Sequence, residues 1–192
     1  MLDFIIETSA RHIHLTKEDF ETLFGKGTEL TVKKMLSQPG QFASNERVIL
    51  EGPKGRIERV MILGPFRPES QVELSKTDLR TIGIDAPINL SGDLTKAGSV
   101  KVIGPEGEIE LDKNVIVPKR HIHMTPKDAE DFDVCDGDSV MVNVQTDDRS
   151  LIFDDCIIRV NENFSLAMHI DTDESNAANV TMDTRGSIVE YA

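Results

Sequence analysis

A four-residue motif, Arg-His-Ile-His, occurs twice in this chain and constrains its fold more than any other feature. The copies are Arg11–His14 and Arg120–His123. Side chains alternate along an extended strand, so both histidines of a copy would lie on one side and the isoleucine on the other. Two such imidazoles, roughly 7 Å apart along the backbone, can converge on one metal ion. The motif therefore predicts two strands that each present a pair of candidate metal ligands.

The histidines of the chain are concentrated in these motifs. Of five histidines, four form the two pairs, and the fifth is His169. A lone histidine in a strand is more often packed or hydrogen-bonded than metal-bound, but a matched second pair favours a metal role. Zinc sites commonly combine neutral imidazoles with a carboxylate or a third histidine.

The sequence around the two motifs is also repeated. Thr16 can cap a short helix that ends at Gly25, and Thr125 precedes Pro126 at the first position of another helix. Aligning the motifs aligns a strand, the His-x-His pair, a capped helix, a glycine turn and a further strand. Chance recurrence of short words is the alternative, but the shared order favours an internal duplication.

The remaining chain reads mainly as short strands separated by Gly-Pro or glycine turns. We predict strands at 3–8, 47–51, 56–63, 99–103, 108–111, 114–117, 139–144, 151–160, 165–170 and 187–191, with further short helices at 31–37 and 173–179. This pattern is typical of a mainly β, β-rich α+β protein with two small β-barrels and short capping helices. There are too few helices for a (β/α)₈ barrel.

Composition excludes several classes of protein. The chain lacks Trp and has one Tyr, so its core must be aliphatic, and no apolar run is long enough for a membrane span. Its two cysteines show no C-x-x-C spacing, which favours a reducing compartment. Residues 128–192 hold 16 of the 34 acidic residues but 3 of the 21 basic ones. A nucleic-acid partner is therefore not expected.

Two charged residues in the middle of the chain are candidates for chemistry. Catalytic zinc typically has three protein ligands, so two such sites need one ligand beyond the five histidines. Glu73 lies between Val72 and Leu74, where a buried acid requires a partner. Arg67 lies on a proline-flanked loop, and its planar fork suits phosphate. From spacing alone, a surface charge is the more common explanation for either residue.

Four segments together resemble the PduL-type phosphotransacylases, the phosphate propanoyltransferases of acyl-CoA metabolism and bacterial microcompartments. The segments, which occur in the family's order, are Ser9–Leu15, Gly64–Glu73, Arg120–Met124 and Met168–Glu174. The resemblance covers nearly the whole chain.

The resemblance implies two zinc ions per chain and a phosphate-binding Arg67. One ion would be bound by His12, His14 and Glu73, and the other by His121, His123 and His169. It also implies two barrel domains, one formed by residues 1–45 and 118–192 and the other by residues 46–117. The N-terminal strand would pack among strands from the later half.

The implied activity is a zinc-dependent phosphate acyltransferase that converts propanoyl- or acetyl-CoA plus phosphate into acyl phosphate plus CoA, as in propanediol degradation. Coenzyme A contacts are expected from Ser9, Ala10, Arg11, Lys54, Arg120 and Asn176. We expect a homodimer that binds neither nucleic acid nor membrane. We also expect a cytoplasmic protein, because encapsulated members carry an N-terminal extension ahead of the motif, although a microcompartment is the family's other location.

Two other functions fit the same residues. A dizinc hydrolase would use metal-bound hydroxide on an ester or phosphate and would release free acid without phosphate. A metal-stabilised binding module would instead close each ion with a fourth protein ligand.

Overall fold

The computed structural model describes residues 2–189, which form fourteen strands and four short helices. In chain order these are β1 Phe4–Thr8, β2 His12–His14, α1 Lys17–Phe24, β3 Val32–Met35, β4 Phe42–Gly52, β5 Gly55–Gly64, β6 Gln71–Glu73, α2 Lys76–Ile82, β7 Ile88–Asn89, β8 Gly98–Ile103, β9 Glu108–Pro118, β10 His121–Met124, α3 Pro126–Asp131, β11 Ser139–Val144, β12 Leu151–Val160, β13 Ala167–Ile170, α4 Thr172–Ala178 and β14 Arg185–Ile188. The predicted strand at 187–191 extends past Val189 and so lies partly outside the described residues.

The chain divides into two compact units. The middle unit is Ala10–Pro118, and the terminal unit contains the residues up to Ser9 and those from Lys119 onward. This division differs from the expected one for residues 10–45. They belong with the middle of the chain because β2 hydrogen-bonds to β5 and β6, and β3 pairs with β4.

Each unit contains a closed ring of six strands. The terminal ring has the order β1-β13-β10-β12-β11-β14. The middle ring has the order β4-β5-β2-β6-β9-β8, and β8 pairs back to β4 to close it. Strands β3 and β7 flank this ring at β4 and β9. The predicted β-rich architecture of two small barrels is confirmed.

The two rings have the same connectivity around the His-x-His strand. In the middle unit β2 lies parallel to β5 and antiparallel to β6, and in the terminal unit β10 lies parallel to β12 and antiparallel to β13. The strand that precedes each motif joins the other unit's ring: β1 pairs with β13, and β9 pairs with β6. The internal duplication is therefore combined with an exchange of one strand between the repeats.

The helix caps follow the sequence signals in most cases. Thr16 accepts from the backbone N–H of Asp19 at 3.0 Å, and Thr125 accepts from that of Asp128 at 3.1 Å. Helix α1 ends at Gly25, whose φ of 98° is costly for other residues. The predicted helix at 31–37 is wrong, because this segment contains β3, which pairs with β4. Such pairing across sequence is invisible to local propensity.

Each unit has its own aliphatic core. In the middle unit Ile13, on the face of β2 opposite the histidines, is fully buried in a cluster that includes Leu50 and Ile62. In the terminal unit Ile122 is fully buried in a cluster that includes Met168. The period-two prediction for both motifs is confirmed, because burying the isoleucine fixes the opposite face of the strand for the histidines.

Candidate functional site

The middle unit gathers His12, His14 and Glu73 into a buried group. Strand register places His12 directly opposite Glu73, with 3.4 Å between His12 Nε2 and Glu73 Oε2. The rings of His12 and His14 have centroids 5.0 Å apart. One ligand atom from each of the three residues lies within 4.8 Å of the other two. Two imidazoles and a carboxylate at this spacing form a donor set that suits zinc.

Hydrogen bonding in this group is incomplete in a way that fits a metal. Nδ1 of His12 lies 2.8 Å from the backbone oxygen of Ala10, and this leaves Nε2 toward Glu73. Nδ1 of His14 is buried and has no hydrogen-bond partner among the described residues. A buried polar atom without a partner is costly, and a bound cation would satisfy it.

The protonation states of His14 and Glu73 are those that metal ligands require. Burial, and then electrostatic interactions with His12 and Arg67, hold the pKa of His14 well below its usual value. Burial alone would raise the pKa of Glu73, but His12, His14, a Ser91 hydrogen bond and Arg67 outweigh it and lower that pKa to about 2. At neutral pH His14 is therefore neutral and Glu73 is ionised.

Arg67 lies beside this group in a polar network. Nη1 of Arg67 donates to Ser91 Oγ at 3.2 Å. Nε2 of Gln71 donates to Ser91 Oγ at 2.9 Å and to Glu73 Oε1 at 2.6 Å. The network links the guanidinium to the third candidate ligand through two neutral side chains.

A cavity of about 240 Å³ adjoins these residues. Its lining contains both His14 and Arg67, together with Pro39–Gln41 and the Gly64–Pro65 pair. The backbone N–H of Arg67 donates to the carbonyl of Leu15 at 2.9 Å, so the loop is tied to the end of the His-x-His strand. A small anion in this cavity would meet a candidate metal ligand and a guanidinium together.

The terminal unit gathers the other three histidines. His121 pairs with His169 across β10 and β13. The ring centroids are 4.6 Å apart for His121 and His123, 4.7 Å for His123 and His169, and 5.2 Å for His121 and His169. Nδ1 of His121 lies 2.9 Å from the carbonyl oxygen of Lys119, the equivalent of the His12 contact with Ala10.

His123 resembles His14 in having a buried ring nitrogen without a hydrogen-bond partner among the described residues. Both of its ring nitrogens are buried without a hydrogen-bond partner among the described residues, and Phe164 stacks on the ring at 4.0 Å. Burial, and then His121, His169 and Arg159, lower the pKa of His123 to about 2. Within residues 2–189, only the group of His12, His14 and Glu73 brings three ligand atoms within 4.8 Å of one another. In the terminal unit the rings are together, but the nitrogens do not converge to that degree.

The residues expected to contact coenzyme A have varied surroundings. Arg11 pairs with Asp78 at 3.2 Å, and Arg120 pairs with Glu174 at 2.8 Å. Ala10, Lys54 and Asn176 are exposed. The backbone N–H of Ser9 donates to Ile170 at 2.8 Å. Their role in binding coenzyme A stays a prediction.

Sequence reasoning missed several residues that shape these sites. Ser91 belongs to no motif and reaches Arg67 only through the fold. Asp78 had a signal: Ser75 and Asp78 form a capping box for α2, a helix that we did not predict. Glu7 lies 3.6 Å from His169, which is far away in sequence.

In the part of the chain that the structure describes, every helix is too short or too polar to cross a bilayer.

Comparison with known proteins gives consistent matches over most of the chain. A family model described as phosphate propanoyltransferase matches residues 5–181. The phosphate propanoyltransferase of Thermotoga maritima is 52% identical over 187 residues, which cover 97% of this chain and 89% of the relative. That of Clostridioides difficile shows the same identity and coverage. That of Salmonella typhimurium is 51% identical over 170 residues, covering 88% of this chain and 80% of the relative.

Proposed function

The chain belongs to the phosphate propanoyltransferase family, and from this premise we propose that it transfers an acyl group between coenzyme A and phosphate. The reaction is acyl-CoA plus phosphate to acyl phosphate plus CoA, with propanoyl or acetyl as the acyl group. The names of the relatives supply the reaction class. The side chains of the two units support a mechanism for this reaction.

One observation supports this proposal more than any other: Arg67 and His14 line the same cavity. Phosphate needs a positively charged, hydrogen-bonding partner, and guanidinium can bind two of its oxygens at once. A hydrolase of neutral esters has no comparable need for Arg67, and a hydrolase of phosphate esters is distinguished by the phosphate-dependence test below.

We propose that each unit holds one zinc ion. His12, His14 and Glu73 would bind the ion of the middle unit, and His121, His123 and His169 that of the terminal unit. The orphaned nitrogens of His14 and His123 support both assignments. When bound with an open position, zinc polarises a carbonyl or phosphoryl oxygen and stabilises a thiolate.

The protein's own residues orient the nucleophile. Arg67 holds phosphate in the cavity, and the hydroxyl of Ser91 fixes the guanidinium. A phosphate oxygen attacks the thioester carbonyl carbon, the carbon–sulfur bond breaks, and the electron pair leaves with the CoA sulfur. Placing both reactants side by side removes much of the entropic barrier.

The cysteines support direct attack without an acyl-enzyme. Burial raises the pKa of the Cys156 thiol to about 12, so this thiol stays protonated and is a poor nucleophile. Cys135 is exposed, and a direct transfer requires neither cysteine.

Coenzyme A contacts complete the proposal. We assign them to Ser9, Ala10, Arg11, Lys54, Arg120 and Asn176, of which three are basic. Basic residues suit the phosphate groups of coenzyme A. The expected homodimer stays a prediction.

The test is the release of CoA from propanoyl-CoA with and without inorganic phosphate, with ³¹P NMR detection of the acyl phosphate. We expect release to depend on phosphate and acyl phosphate to form in equal amount. Release of propanoate and CoA without phosphate would overturn the proposal in favour of the hydrolase.

A further inference from the structure

The carboxylate of Glu7 lies close to His169, the third histidine of the terminal unit. Oε2 of Glu7 is 3.6 Å from Nδ1 of His169, which is ion-pair range and slightly beyond hydrogen-bond length. Strand register produces this contact, because Glu7 and His169 are direct neighbours on the parallel strands β1 and β13. The side chains of His169 and Glu7 are 15% and 32% exposed, so solvent screens the contact only in part.

The first histidine of each motif also directs its Nδ1 toward an oxygen. Nδ1 of His12 faces the carbonyl of Ala10, and Nδ1 of His121 faces that of Lys119. An acceptor at Nδ1 selects the tautomer that carries its proton there and leaves Nε2 as the ligand atom. At His169 the group that faces Nδ1 is a carboxylate on the neighbouring strand, at ion-pair distance.

The equivalent position in the middle unit is apolar. There the third candidate ligand is Glu73, and its direct neighbour on the adjacent parallel strand is Ile116, which is fully buried. Each unit thus has one carboxylate at this strand pair. In the middle unit this carboxylate, Glu73, is itself the candidate ligand. In the terminal unit the carboxylate, Glu7, is the neighbour of the candidate ligand His169.

We propose that Glu7 is a positioning residue that orients His169 for metal binding. The inference rests on the metal site proposed above for His121, His123 and His169. The carboxylate fixes the tautomer and ring orientation of His169 and increases its basicity as a ligand. The strand exchange that brings β1 into the terminal ring is what supplies this group.

Substitution by the middle unit's residue, Glu7→Ile, is the matched test. The measurements are zinc retained in the intact protein against a chelator of known affinity, and the His169 tautomer from long-range ¹H–¹⁵N NMR of the zinc-free protein. We expect zinc affinity at the terminal unit to fall by about 10–100-fold and the Nδ1–H tautomer to lose its dominance. Glu7→Gln keeps an acceptor oxygen, so the tautomer should persist and affinity should fall less.

The controls separate this inference from the metal site itself. Asp3 lies just before β1, and its carboxylate pairs with Arg185. The Asp3→Asn substitution removes this carboxylate and should leave zinc affinity unchanged. Should Glu7→Ile unfold the barrel, the Glu7→Gln variant carries the affinity comparison. If His123→Ala costs one zinc ion but Glu7→Ile and Glu7→Gln bind as tightly as wild type, Glu7 has no positioning role. If His123→Ala costs no zinc, the terminal metal site is absent and the inference fails with it.

Discussion

The two units share a scaffold but differ in the chemistry placed on it. Both have a closed six-stranded ring, a buried isoleucine and two histidines on the opposite face of one strand. The neighbouring antiparallel strand then presents Glu73 in one unit and His169 in the other. A zinc site with two neutral imidazoles and a carboxylate has a net charge of one unit less than a site with three neutral imidazoles. The duplication has therefore kept the strand arrangement and changed the charge of the third candidate ligand.

In the middle unit the positive charge of Arg67 would offset that difference. It precedes Glu73 by the same spacing by which Asn163 precedes His169, and Asn163 is uncharged. The guanidinium lines the cavity with His14. This difference supports the proposal that the middle unit is the one that holds phosphate.

The largest expected effect comes from removing a candidate ligand in either unit. His14→Ala and His123→Ala should each lower kcat/KM for phosphate-dependent CoA release by at least about 10³-fold, because metal Lewis acidity contributes several kcal/mol. Steady-state kinetics at saturating phosphate measure this. Cys135→Ala is the control, an exposed ligand-type side chain that should retain activity. Full activity of either histidine variant would show that its unit has no catalytic ion.

The second effect distinguishes the units. Arg67→Ala should lower kcat/KM for phosphate by about 10²–10³-fold, the loss typical of one preorganised donor. Arg67→Lys should recover part of this loss, since the charge remains without the bidentate fork. Arg56→Ala, which removes an exposed ion pair with Glu51, should stay within about twofold of wild type. An unchanged kcat/KM for phosphate in Arg67→Ala would show that Arg67 does not distinguish the two units.

The elements that depend on neighbouring residues in the chain could be predicted from the sequence. Thr16, Thr125 and the alternation around Ile13 and Ile122 act through neighbours in the chain, so their elements could be predicted. The strand β3 and the placement of residues 10–45 depend on pairing with β4, β5 and β6, which local patterns do not encode. The missed helix α2 did have a local signal, its capping box.

The candidate sites divide in the same way. The histidine pairs were evident from spacing, and Glu73 from its apolar neighbours together with the family resemblance. Ser91 and Glu7 were not, because only strand pairing and a returning loop bring them to Arg67 and His169.

The third effect is a pH dependence that each unit should show in the zinc-free protein. The pKa values of His14 and His123 are lowered from 6.5 in the folded state. Below pH 6.5 the unfolded chain therefore binds protons that the folded chain does not, and stability falls as pH falls. His14→Asn or His123→Asn should each reduce this slope by one proton, measured by chemical denaturation between pH 5 and 7.5.

Glu73 adds a further step in the middle unit. Its pKa is lowered from 4.5 to about 2, so its contribution is present above pH 4.5 and is lost as pH falls toward 2. Glu73→Gln should remove that acid step. An unaltered acid limb in this variant would contradict the assigned ionisation.

The smallest effect tests whether the two cores are equivalent. Ile13→Val and Ile122→Val each remove a methylene from a fully buried side chain and should cost about 0.5–1.5 kcal/mol of unfolding free energy. Ile152→Val, at a side chain that is 58% exposed, should cost less than about 0.5 kcal/mol. A clear inequality between the two buried sites would show that one ring is packed more loosely than the other.

The central claim is that each unit binds one ion through its own His-x-His pair. Its most direct test is the zinc content of purified wild type, His14→Ala and His123→Ala, measured by elemental analysis after removal of loosely bound metal. The account predicts two ions per chain in wild type and one in each variant. The same metal content in all three proteins would contradict it.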